Sequence, residues 1–181
     1  MQSYCNVSYR AGGLDTVQAM MWADGVSFPT SAPIELPLDL SNWVVPGIIA
    51  LWVKEEARGL EWDEAEPVWR LRGNRPPAML ALLAFAYATG VFDTDEILSA
   101  CRRDPLFRSL GEGAAPFSQD VIRFRREHRG RLIGVLAQIL TRAVLERYCW
   151  RELPNSLELR RRTLQSATDR LNIARHMETD E

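Results

Sequence analysis

Residues 76–90 read Pro-Pro-Ala-Met-Leu-Ala-Leu-Leu-Ala-Phe-Ala-Tyr-Ala-Thr-Gly. Pro77 stands where a helix can start, because proline needs no amide partner in the first turn, and Gly90 stands where one can end. Between them almost every helical face is apolar. That pattern predicts a helix buried all round, with the rest of the chain packed about it. The run is also shorter than the ~20 apolar residues that a bilayer span needs, so it reads as core.

Short helices with clear boundaries follow. Asp93 is a cap for a helix over Thr94–Arg103, with Glu96 placed to complete a capping box. Asp104 and Pro105 stop it and start another, Asp104 as cap and Pro105 in the first turn. Gly111 ends that one. Ser118 is then a candidate cap for a third helix over Gln119–Arg129, with a break at Gly130. Helix, connection and helix make a helix-turn-helix-like unit, although this connection is longer than the usual tight turn. The predicted fold is all-α: a compact helical bundle behind a loop-rich N-terminus.

The third helix carries the functional signal. Phe117, Val121 and Phe124 are spaced four and three apart and can bury one face. Gln119, Asp120, Arg123, Arg126 and Glu127 lie off it, and Arg125, Arg129 and Arg131 extend the positive charge. An apolar back and a cationic front are what a recognition helix needs, since arginine clamps phosphates or reads guanine edges. The candidate DNA-binding residues are Gln119, Arg123, Arg125, Arg126, His128, Arg129 and Arg131. The plain alternative is the solvated basic face of an ordinary helical bundle.

Six pieces of sequence then resemble a known family. They are Asn74-Arg75-Pro76-Pro77-Ala78-Met79-Leu80, Tyr87-Ala88-Thr89-Gly90-Val91-Phe92, Glu96-Ile97, Ala100-Cys101-Arg102-Arg103-Asp104, Phe107-Arg108-Ser109-Leu110 and Phe124-Arg125-Arg126-Glu127-His128. Their order and spacing resemble the N-terminal domain of bacterial insertion-sequence transposases of the InsH type, most specifically over residues 74–128. The resemblance implies a helical DNA-binding module that precedes an RNase H-like catalytic domain with a DDE carboxylate triad. Two departures stand out. Residues 132–181 read as helix, loop, helix, without the Asp-Gly strand expected of that catalytic domain. Asp93-Thr94-Asp95 also replaces a serine and a basic residue at a helix start. The expectation is a DNA-binding module without catalysis. Double-stranded DNA is the expected partner, and a homodimer or a full-length transposase is a further candidate.

Composition bounds these readings. The 181 residues carry a net charge of −2, which is not that of a dedicated nucleic-acid binder. The charge is uneven, however. Residues 1–99 hold 13 acidic and 6 basic side chains, net −7, and residues 100–181 hold 11 and 16, net +5. DNA contact is therefore expected from the second half. Cys5, Cys101 and Cys149 are widely spaced, which suggests neither a disulfide framework nor a zinc site, and their odd count fits a reducing cytoplasm, which the resemblance implies is bacterial. No secretory signal or membrane association is read from the chain. Glu55, Glu56, Glu61, Asp63, Glu64 and Glu66 cluster, but an acidic loop with Trp62 and Trp69 beneath it is the stronger reading than a metal or acid–base site. No cofactor and no metal are expected.

Three units are expected: an extended or poorly structured segment over 1–40, a helical domain over 41–150, and a last helix with a short tail over 151–181. In the second, Val45, Ile48, Ile49, Trp52 and Val53 give a helix over 41–58 that starts near Pro46, and Leu132 to Val144 give a helix over 131–149 that packs on the central one. Pro154-Asn155-Ser156 caps the last helix. There Leu157, Leu164 and Leu171 recur every seven residues, with Ala167 and Ala174 between, so either a coiled-coil contact or packing onto the same domain fits. Arg160, Arg161 and Arg162 form a further basic cluster. The functional alternatives are a helical dimerisation or regulatory module, a subunit completed by a separately encoded catalytic chain, and a transposase relic.

Overall fold

The structure, a computed structural model, describes residues 35–62, 75–148 and 155–179. Trp69, Cys5, Cys149 and the acids Asp63, Glu64 and Glu66 lie outside the described residues, as does most of the 1–40 segment. Among the described residues there are seven α-helices and no strand: α1 (Pro46–Gly59), α2 (Pro76–Ala88), α3 (Thr94–Arg103), α4 (Pro105–Leu110), α5 (Ser118–Glu127), α6 (Arg129–Arg147) and α7 (Ser156–Thr179).

The apolar run is the central helix. Every residue of α2 from Ala78 to Ala88 is buried, and α1, α4 and α6 pack against it. Phe85 meets Phe107 of α4 edge to face at 5.1 Å. Gly90 adopts φ +80 after α2, and the Val91 amide donates to the Ala86 carbonyl at 2.8 Å, the six-to-one bond of a Schellman ending. Asp39 bridges to Thr89 beside this turn and caps a single 3₁₀ turn, Leu40–Asn42, through the Ser41 amide at 2.8 Å.

The starts of α3, α4 and α7 follow their caps. The Asp93 carboxylate accepts from the Glu96 amide at 2.8 Å, Asp104 accepts from the Leu106 amide at 2.6 Å, and Asn155 accepts from the Glu158 amide at 2.8 Å. Two expected boundaries move. Ser118 is the first helical residue of α5 rather than its cap; Phe117 takes the cap position without a side-chain bond and is 54% exposed. The break also falls at His128 and not at Gly130, which lies inside α6 and meets no neighbour that a Cβ would touch.

In α1 the buried side is Ile49, Ala50, Val53 and Ala57, while Val45, Ile48 and Leu51 are exposed. Arg142 of α6 straps α1 by ion pairs of 2.7 Å to both Glu55 and Glu56. The last helix closes the same core: Ala167, Leu171 and Ala174 are fully buried there, whereas Leu157 and Leu164 remain on its outer side. The packing alternative for α7 therefore describes its inner face.

Two arginines complete this packing. Arg170 of α7 is fully buried. Its Nε donates to the Tyr87 carbonyl at 3.1 Å, its Nη1 to Ser166 Oγ, and its Nη2 to the carbonyls of Pro37 and Leu38, the latter at 3.3 Å. One guanidinium thus satisfies a terminal carbonyl of α2 and ties down the segment entering the fold. Burial lowers its pKa to about 10, which leaves it charged at neutral pH. The second is Arg125, in the helix expected to read DNA.

Candidate nucleic-acid interface

The α5 helix is anchored by Val121, Phe124, Arg125 and, just past its end, His128, all buried. Their spacing of three, four and seven is that of one helical face. The opposite side carries Gln119, Arg123 and Arg126, again four and three apart and all exposed. Arg123 and Arg126 form no ion pair or hydrogen bond among the described residues. They are available cations in a row, next to exposed Glu127.

The other expected contact residues are placed differently, and this corrects the reading of the face. Arg125 points inward and is 4% exposed. Its Nη1 donates to the Ala174 carbonyl at 2.8 Å and pairs with Glu178, its Nη2 donates to Thr94 Oγ1 at 3.3 Å, and the guanidinium lies 5.4 Å from the centre of the Tyr87 ring. It joins α5 to α2, α3 and α7, so it presents no charge outward. Burial raises the Tyr87 phenol above its ordinary range, opposed by the nearby Arg125 charge. His128 is also buried, packed on Phe124 at 4.4 Å and edge-on to Trp62 at 5.5 Å. Arg131 stacks over the Trp62 ring at 4.4 Å, a cation–π contact worth about 0.5–2 kcal/mol. Arg129 is half-buried and donates to Asn172 Oδ1 at 3.1 Å.

Acidic groups flank one end of α5. Asp93, Thr94 and Asp95 of the α3 start, with Ser118, Ile122, Met177 and Glu178, line a shallow depression there. The carboxylates of Asp93, Asp95 and Glu178 offset the positive helix terminus and disfavour phosphate at that point. The cationic part of the surface is therefore the C-terminal half of α5.

The remaining clusters are structural. Glu55 and Glu56 share Arg142, and Glu158 pairs with Arg161 and Arg162, whose hydrogen bonds hold its carboxyl below the usual range. Cys101 is buried, which pushes its thiol up to about 11. Among the described residues no group of three or more His, Cys, Asp or Glu is arranged to hold a metal ion, and no helix is long and apolar enough to cross a membrane.

Comparison of the chain with protein-family models, with curated proteins and with solved structures gives no match.

Proposed function

We propose that this protein is a helical DNA-binding module of the transposase N-terminal kind, acting without catalysis. It meets duplex DNA with the exposed row of α5: Arg123 and Arg126 on phosphates, Gln119 at a base edge. The single observation that carries the reading is the two-sided build of α5, whose buried stripe fixes the helix while its outer row leaves two arginines together that are unpaired among the described residues. The net positive second half of the chain supports it.

Two phosphate contacts give a log–log salt slope of about −1.8, or roughly a 12-fold loss of affinity between about 50 and 200 mM salt. Fluorescence anisotropy with a labelled duplex reads this directly. Arg123→Ala and Arg126→Ala are each expected to flatten the slope by about 0.9. Wild-type slopes retained in both variants, or no binding at low salt, would remove the proposal.

A second reading is self-association through α7. Leu157 and Leu164, seven apart, stay on its outer side at 77% and 37% exposure. Sedimentation equilibrium tests it: a dimer dispersed by Leu164→Asp supports self-association, and a monomer in the wild type excludes it.

A further inference from the structure

Two of the cations missing from the α5 surface, Arg125 and Arg129, are held by one piece of chain. Arg125 donates to the Ala174 carbonyl and pairs with Glu178; Arg129, one turn on at the start of α6, donates to Asn172. Asn172, Ala174 and Glu178 belong to the last two turns of α7. The same turns supply Met177 and Glu178 to the acidic depression at the start of α5. The end of α7 therefore does two things to the neighbouring helix: it occupies two arginines and adds a carboxylate beside it.

The inner side of α7 makes this end separable from the rest. Its deeply buried residues are Thr163, Ala167, Arg170, Leu171 and Ala174, with one large apolar side chain among them. Small and polar side chains remove little apolar area from water, so polar bonds carry a larger share of the docking. Arg170 secures the middle of the helix to α2; beyond it Leu171 and Ala174 are buried and Ile173 packs on the core, and the bonds to Arg125 and Arg129 are the polar ones that hold the end.

We propose that residues Asn172–Glu178 form an internal latch that competes with a polyanion for the cations of the α5–α6 junction. In the latched state the DNA-facing set is Arg123 and Arg126. With the latch open, Arg129 joins them, one turn beyond Arg126 along the chain, and the carboxylate of Glu178 leaves. The device regulates the surface described under the proposed function and rests on that reading.

The test uses the full chain. Asn172→Ala removes the acceptor that holds Arg129 without disturbing a buried charge. It is expected to steepen the salt slope for a labelled duplex by about 0.9, equivalent to roughly 3.5-fold more affinity lost between about 50 and 200 mM salt. Arg129→Ala placed in the Asn172→Ala chain takes away the added slope. A wild-type slope for Asn172→Ala, or a steepened slope kept when Arg129→Ala is added to it, would overturn the latch. Hydrogen exchange with Glu178→Ala gives a readout that needs no DNA. Amide protection is expected to fall in α5 and the end of α7 while that of α2 is kept, and unchanged protection in α5 rejects the latch. A wild-type chain that binds no duplex at low salt sinks the DNA-binding reading instead, and the exchange experiment then decides the latch by itself.

Discussion

Replacing Arg170 with methionine removes a polar anchor that joins α7, the end of α2 and the entering segment. Methionine fills much of the same volume, so the change is chiefly the loss of donors. The Tyr87 carbonyl loses a buried bond and the Pro37 carbonyl a part-buried one, whereas the Leu38 residue is exposed and its carbonyl can turn to water. A buried acceptor left unmade costs about 1–3 kcal/mol, so two cost about 2–6. Part is returned, because the guanidinium no longer has to be desolvated, an effect visible in its lowered pKa. The net expectation is about 2–4 kcal/mol of lost stability. With a urea slope of about 2 kcal/mol per molar, the unfolding midpoint falls by roughly 1–2 M. Arg175→Met, on the exposed side of the same helix, is the control and is expected within about 0.5 kcal/mol of wild type. An Arg170→Met midpoint equal to that of the control would refute the anchoring role.

Other outcomes follow from individual contacts. Asp104→Ala removes the carboxylate that caps α4 at the Leu106 and Phe107 amides and is expected to cost about 0.5–2 kcal/mol in the same urea assay, with no change in slope. Cys101 is expected to alkylate about 100-fold more slowly than an ordinary thiol near pH 8, since a pKa of about 11 in place of 9 leaves that much less thiolate; iodoacetamide labelling resolved by peptide mass spectrometry measures it. The sign for stability is that a raised thiol pKa favours the fold at neutral pH and this contribution fades as pH rises from about 9 through 11.

Local signals were legible in the sequence because they act over a few residues. The Pro-to-Gly apolar run gave α2, and Asp93, Asp104 and Asn155 marked helix starts that the structure keeps. Ser118 misled because a good capping residue need not occupy the cap: the chain turns at Phe117, and the serine falls into the first turn. Gly130 misled because glycine permits a break without requiring one.

The candidate surface was legible in part. The spacing of Val121, Phe124, Arg125 and His128 is a buried stripe at helical period, and it was present in the sequence. Residue type masked it, because arginine and histidine read as surface groups until a partner is known. The partners of Arg125 lie 31 residues before it and 49 and 53 residues after it, and the Tyr87 carbonyl lies 83 residues from Arg170. No local pattern reports such separations. Gln119, Arg123 and Arg126, which need only the helix to be set apart, stand in the row that the periodicity assigned to them.

The most direct test of the central claim is amide chemical-shift mapping of the 20.6 kDa chain as a short duplex is added at low salt. The account predicts shifts concentrated along α5 at Gln119, Arg123 and Arg126, fading as salt is raised. Spectra that do not respond to the duplex, or shifts that gather on the outer sides of α1 or α7 while α5 stays still, would contradict it.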